Sequence, residues 1–345
     1  MLKQKISPLN KEVGQQVADY IDTLTKPKGS LGRLEELAIQ LAEMKGQPFP
    51  EVTPPGVIVF TADHGIAKEG VSAFPQEVTV QMVSNLVHGG AAINVFSRQI
   101  GAISKVVDVG VAGDVKEAEV LNRKVRYGTG NFLKELAMTR AEAQQVLEVG
   151  YAEAVDLIEK GIKCLIVGEV GIANTTTSSA ILASITQCDP ASIVGHGTGI
   201  TTEQLKHKTE VIERALAFHQ PNAEDGLDIL SKVGGLEIAA MAGAMMAAAK
   251  HRIPILLDGF ICSTAACVAK LMEPLVADYM ILSHHSVEPG HVQAMNYLQK
   301  QPLLQLNMRL GEGTGAAVAF PILQSATLMV KEMATFTSAN VSNID

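Results

Sequence analysis

A glutamate set between glycines is the feature of this 345-residue chain that most invites a chemical reading: in MRLGEGTGAAVAF (308–320), Glu312 stands between Gly311 and Gly313. A carboxylate there gains nothing from helix propensity and adds nothing to a core, while the glycines let the backbone approach a ligand closely. In an apolar setting its pKa would rise toward that of a working general base. The competing reading is a solvated turn glutamate. A second segment, GEVGIANTTTSSA (168–180), offers Gly171 for close approach and Asn174, Thr175 and Thr176 as donors at a helix N-terminus. That pattern suits a phosphate or carboxylate cradle, and equally an ordinary Asn or Thr cap. A third cluster, GHGTGI (195–200), precedes a helical pattern carrying Lys206, His207 and Lys208. A glycine loop facing a ribose phosphate, with Lys208 as its cation, competes here with a solvated lysine and with a dinucleotide loop whose later acidic residue is missing.

Other residues raise chemistry that their spacing does not support. Asp63 and His64 follow one predicted strand and His284, His285 and Ser286 another, which brings a metal site to mind. The chain has no HExxH, no Cys/His cluster and no carboxylate pair at ligand spacing, so these histidines read as hydrogen-bonded loop residues and no metal or other cofactor is expected. A Ser-His-Asp hydrolase would lack its G-x-S-x-G elbow. Cys164, Cys188, Cys262 and Cys267 sit in apolar stretches without CxxC spacing and read as buried free thiols, which fits a reducing cytoplasm.

The elements that must position these residues follow from periodicity. Two helical patterns fill 6–43, separated by TKPKGS (25–30), with Ser30 able to cap the second. A Pro-rich loop (46–56) then leads to short apolar runs at 57–62, 103–109, 163–167, 254–257 and, less regularly, 279–282. Helical patterns separate them at 76–87, 91–99, 140–159, 175–186, 202–218, 236–249 and 264–271, and a long one spans 313–335. The alternation predicts an α/β fold: a mostly parallel, Rossmann-like sheet with helices on both faces (51–313), plus a small helical domain built from both chain ends (1–50 and 314–345). Ligands in such sheets sit beyond the carboxyl ends of the strands, where this chain reads ADHG, DVG, GEVGIANTT, DGF and SHHS.

Composition narrows the partners. Hydrophobic residues make up 47% and charged residues 19%, ordinary for a globular protein, but aromatics are only 4% and tryptophan is absent. Rows of stacking aromatics for single-stranded nucleic acid are excluded. A net charge of −8 without a dense basic run disfavours DNA, RNA and anionic membranes as partners. The longest apolar stretches are interrupted by Glu237, Asp258 and Lys270 too early for a membrane span, and the N-terminus has no apolar signal core.

Taken in order, KPKGSLGRLEELA (26–38), ADHG (62–65), VGEVGIANTTTSSA (167–180), SKVGGLEI (231–238), LLDGF (256–260) and MRLGEGTGAA (308–317) resemble the nicotinate-nucleotide:dimethylbenzimidazole phosphoribosyltransferases of cobamide lower-ligand synthesis along nearly the whole chain. The resemblance implies transfer of ribose 5-phosphate from nicotinate mononucleotide to a nitrogen of a benzimidazole-type base. It also implies Glu312 as general base and Glu169 as the second acidic residue near it. Gly171, Ile172, Asn174, Thr175, Lys208, Ser286, Arg309 and Gly311 would hold the nucleotide, and a homodimer would carry each site near its interface. In VSAFPQEVTVQM (71–82) this chain departs from well-known members: Phe74 replaces a serine, and Met82 aligns with a glutamine although Gln81 lies beside it. With Leu310 these residues would form an apolar wall for the base. 5,6-Dimethylbenzimidazole is the favoured acceptor, with adenine or a phenol as alternatives. A non-catalytic nucleotide-binding regulator is the rival from another class, and a metal-dependent hydrolase on Asp63, His64 and His284 the rival enzyme.

Overall fold

Short Val, Ile and Leu runs that alternate with helices become strands buried on both faces, the mark of a parallel sheet. The computed structural model describes residues 5–197 and 199–342. Among them, β1 (Pro55–Ala62), β2 (Ile103–Gly110), β3 (Leu121–Asn122), β4 (Cys164–Val170), β5 (Ile255–Leu257), β6 (Met280–His284) and β7 (Pro302–Leu304) form one sheet in the order β3-β2-β1-β4-β5-β6-β7. Every neighbouring pair is parallel. Five strands coincide with the apolar runs. The other two, β3 and β7, lie at the sheet edges and are too short to show any alternation.

The helices of eight or more described residues are α1 (Lys11–Ile21), α2 (Arg33–Lys45), α3 (Glu77–Val87), α4 (Ala92–Gln99), α5 (Arg140–Glu159), α6 (Asn174–Thr186), α7 (Thr202–His219), α8 (Gly226–Val233), α9 (Leu236–Lys250), α10 (Phe260–Met272), α11 (Pro289–Leu298) and α12 (Thr314–Glu332). Two of them, α8 and α11, fall outside the periodic stretches. The start of α2 also differs from expectation. Gly32, not Ser30, holds the cap position and offers no side chain. The Glu35 carboxylate, also paired with buried Lys26, accepts the Leu31 N–H at 2.9 Å just before the helix.

Scarce aromatics are offset by close backbone packing. Nearly every residue of α9 is buried, and where it crosses α5 a Cβ on Gly150 would overlap the carbonyl of Ala240. The two helices therefore touch main chain to main chain, at the density expected of a protein interior. Both pack over β1 and β2, while α12 packs on β4, β5 and β6 and receives α2 on its outer side. The two chain ends are tied by hydrogen bonds from Thr25 N–H to Ala334 O (3.0 Å) and from Phe336 N–H to Thr23 O (2.9 Å). Among the described residues no helix is long and apolar enough to cross a membrane.

Candidate active site

The carboxyl ends of the strands converge on one cavity of about 290 Å³. Glu169 is the penultimate residue of β4, Asp258 follows β5 directly and His284 ends β6. All three line the cavity together with Glu312, which arrives from the turn between β7 and α12.

That turn has an unusual backbone. Gly311, Glu312 and Gly313 have φ of 94°, 63° and 90°, three successive residues in the left-handed region. Glycine adopts it freely, whereas a glutamate there costs on the order of 1–3 kcal/mol and persists only where its surroundings over-determine it. The surroundings do so here. Asp258 Oδ2 accepts the Gly313 N–H at 3.0 Å, and its Oδ1 accepts those of Gly315 and Ala316 at 2.8 and 3.2 Å. Glu169 Oε1 accepts the Glu312 N–H at 3.4 Å, and Gly168 packs so tightly under the Glu312 carbonyl that a Cβ would overlap it.

The result is a Glu312 only 6% exposed, whose Oε2 has no hydrogen-bond partner among the described residues. Burial pushes the Glu312 carboxyl above the ordinary range, and the charge of Asp258 adds to it. Glu169 is driven well above that range by burial first, then by the charges of Glu237 and Asp258. Its Oε2 accepts a hydrogen bond from Asn174 Nδ2. A buried carboxylate with a free oxygen and a raised pKa has the properties of a general base.

The opposite part of the cavity suits an anion. The helix α6 starts after Ala173, a left-handed residue (φ 73°) that provides no side-chain cap. Asn174 gives its side chain to Glu169 and leaves the helix end without a side-chain cap. The Asn174 and Thr176 N–H groups turn back to Gly171 O and Ala173 O, and among the described residues the Thr175 amide of this first turn is left to face a ligand. Gly171, Ile172, Asn174, Thr175 and Ser286 line this part. Lys208 does not line the cavity. It stands behind it, 1% exposed, with Nζ donating to Thr175 Oγ1 at 2.9 Å and to Gly195 O at 3.4 Å. Burial lowers its pKa to about 8. Arg309 Nη1 donates to Gly197 O at 3.2 Å, joining the segment that carries Glu312 to the glycine loop.

Asp63 and His64 serve the scaffold. Asp63 accepts from Thr79 Oγ1 (2.6 Å) and Ala112 N (2.9 Å), and Thr79 Oγ1 in turn accepts the Ile172 N–H (3.2 Å). This chain ties α3 to the loop ahead of α6. His64 lies between Glu237 and Thr177, at 2.8 Å from each. Among the described residues no three His, Cys, Asp or Glu side chains are grouped to hold a metal ion.

Phe74, Met82 and Leu310 form an apolar wall, with Phe74 and Leu310 51% and 61% exposed at the mouth. Gln81 is exposed on α3 and does not line the cavity. Asp258, Glu288 and the first turn of α10 (260–262) also line it. Asp258 and Phe260 lie in the DGF segment expected beyond a strand end but had no specific role assigned, and Glu288, Ile261 and Cys262 had none. The available signal for Asp258 was an acidic residue placed directly after a wholly apolar strand.

Comparison with known proteins places these features in a lineage. A phosphoribosyltransferase family model, DBI_PRT, matches residues 6–341. A nicotinate-nucleotide–dimethylbenzimidazole phosphoribosyltransferase of Chloroflexus aggregans is 51% identical over 98% of this chain and 96% of its own length. One of the same name from Halalkalibacterium halodurans is 50% identical over 98% and 94%. The crystal structure of CobT from Thermus thermophilus superposes with a TM-score of 0.93 at 42% identity, covering 96% of this chain and 99% of that one.

Proposed function

The chain belongs to the DBI_PRT phosphoribosyltransferase family, and we propose that it moves the 5-phosphoribosyl group of nicotinate mononucleotide onto a benzimidazole-type base, 5,6-dimethylbenzimidazole being favoured. The products are the α-riboside 5′-phosphate and nicotinate, and the reaction activates the lower ligand for cobalamin and other cobamides. Relatives bearing this activity in their names, at about half identity over almost the whole chain, support the reading. The observation that carries it is a buried Glu312 with an unpartnered oxygen in the same cavity as an uncapped helix N-terminus backed by a buried lysine.

In this reading the phosphate rests on the Ala173 and Thr175 amides and on Ser286, with Lys208 behind them; the neighbouring Ile172 and Asn174 N–H groups donate instead to Thr79 Oγ1 and Gly171 O. One azole nitrogen attacks C1′ of the ribose while the bond from C1′ to the pyridinium nitrogen breaks. The electron pair of that bond stays on nitrogen, so nicotinate leaves as a pyridine and needs little acid assistance. The other azole nitrogen loses its proton to Glu312 Oε2. Glu169 steadies the turn through the Glu312 N–H and tightens the cluster through Asn174. Attack opposite the leaving group inverts C1′, which accounts for the α product.

Purified protein is expected to release nicotinate from nicotinate mononucleotide only when an azole is added, and to do so equally in the presence of a chelator. Absence of acceptor-dependent release across benzimidazoles, adenine and phenols would falsify the reading. Phe74→Ser is expected to reorder the acceptors by removing a ring from the apolar wall. An unaltered ranking places the base elsewhere. We further infer a homodimer with each site near the interface, supported by the two exposed apolar residues at the mouth. A cytoplasmic location is supported by the four unpaired thiols.

A further inference from the structure

A helix usually takes its cap from the residue just before it. At the start of α12 that residue is Gly313, which has no side chain. It cannot be replaced by Ser or Asp at low cost, because the turn presenting Glu312 needs φ of 90° there. The cap comes instead from Asp258, 55 residues earlier in the chain. Its carboxylate is 2% exposed and takes three N–H donors from residues 313–316. Burying a carboxylate is expensive unless its oxygens are filled, and these are filled by the backbone that follows the base.

Building on the proposed reaction, we propose that Asp258 is a positioning residue, clamping the 311–313 turn so that Glu312 presents its free oxygen to the acceptor base. Asp258 acts on Glu312 through the backbone and through its field. The other titratable groups facing the two carboxylates are Glu169 from β4, Cys262 from α10, whose Sγ lies 3.3 Å from Asp258 N, and His284 from β6, whose Nδ1 lies 3.8 Å from Asp258 Oδ1. Glu237 of α9 and His285 act one step further out, on Glu169 and His284.

Asp258→Asn separates these effects from folding. The amide oxygen can still accept from Gly315 and Ala316, but its NH₂ then faces the Gly313 N–H, donor against donor. The turn loosens beside the base, and kcat is expected to fall about 10- to 10²-fold, the scale of a misplaced reacting group. KM for nicotinate mononucleotide should stay close to that of the parent, because the phosphate cradle lies on α6. Loss of a negative neighbour favours ionised Glu312, so the acid limb of kcat/KM should move to lower pH. A merely structural role would reduce active enzyme equally at every pH and leave the limb in place.

Parent-like kcat in Asp258→Asn, or a fall in kcat with an unmoved limb, overturns the inference. If that variant does not fold, Asp258→Glu decides: it keeps the charge but cannot seat three amides at these distances. Its kcat per nucleotide-binding site, counted by calorimetry, then falls with the limb unmoved and the number of sites parent-like, whereas a merely structural role lowers the number of sites and leaves kcat per site unchanged. Parent turnover in folded Asp258→Glu overturns the inference equally. The parent enzyme in the same assays isolates the premise. No acceptor-dependent release by the parent sinks the proposed reaction and this inference together, whereas release by the parent with an unaffected variant sinks this inference alone.

Discussion

Glu312→Gln is expected to lower kcat by at least ~10²-fold, the usual worth of a positioned general base, with nucleotide binding intact. Glutamine matches the side chain in size and leaves the turn to Asp258 and Glu169, so the substitution removes a proton acceptor and little else. Nucleotide affinity measured by calorimetry should not change, since the phosphate contacts lie on α6. The parent enzyme should also show a fall in kcat/KM on the acid side, because Glu312 must be ionised to act. That limb lies above the ordinary carboxylate range, since burial and the charge of Asp258 both favour the protonated form. In Glu312→Gln the limb should disappear along with the rate. An unchanged rate would transfer the role to Glu169, the next carboxylate in the cavity.

Lys208→Met should act on binding. Removing one partner of a buried charge pair costs about 2–5 kcal/mol, so KM for nicotinate mononucleotide should rise on the order of 10²-fold while kcat changes much less. The same residue sets the alkaline side of the profile. Burial lowers its pKa to about 8, so the free enzyme loses this cation as pH rises through that value and kcat/KM falls. A bound phosphate stabilises the charged form, which moves the corresponding limb of kcat to higher pH. The parent profile of kcat/KM is therefore expected to be a bell, with Glu312 on the acid side and Lys208 on the alkaline side. Lys208→Met should keep the acid limb and lose the alkaline one. An unchanged KM together with a surviving alkaline limb would show that the phosphate is met without this lysine.

The sheet was legible because its inner strands carry short, mostly apolar runs: Pro55–Ala62 is buried at every position, and such runs alternating with helical patterns have few other folds open to them. The edge strands were not legible, since Leu121–Asn122 and Pro302–Leu304 are defined by pairing with a neighbour and carry no local pattern. Glu312 could be singled out because its glycine neighbours make no sense for packing. Asp258 was marked only by its place directly after an apolar strand; its part in the turn lies in amides contributed from far along the chain, and one sequence carries no trace of which distant backbone will meet a given side chain. Lys208 shows the intermediate case. Its residue type suggested a cation near phosphate, but its placement behind Thr175 depends on how α7 packs on α6. Gln81 and Met82 lie one position apart on α3, and only the helix rotation puts Met82 toward the cavity and leaves Gln81 in solvent.

The cap that Asp258 lends to α12 also dictates when activity is acquired during synthesis. All seven strands, the start of α6 and Lys208 precede residue 313 in the chain, so a growing polypeptide contains the parts proposed to hold the nucleotide well before it contains Glu312 or the backbone that satisfies Asp258. Until residues 313–316 emerge, that carboxylate lacks the amides that fill its oxygens, and burying its charged form is unfavourable. On the proposed reading one late stretch therefore carries both Glu312 and the amides that let the Asp258 carboxylate be buried.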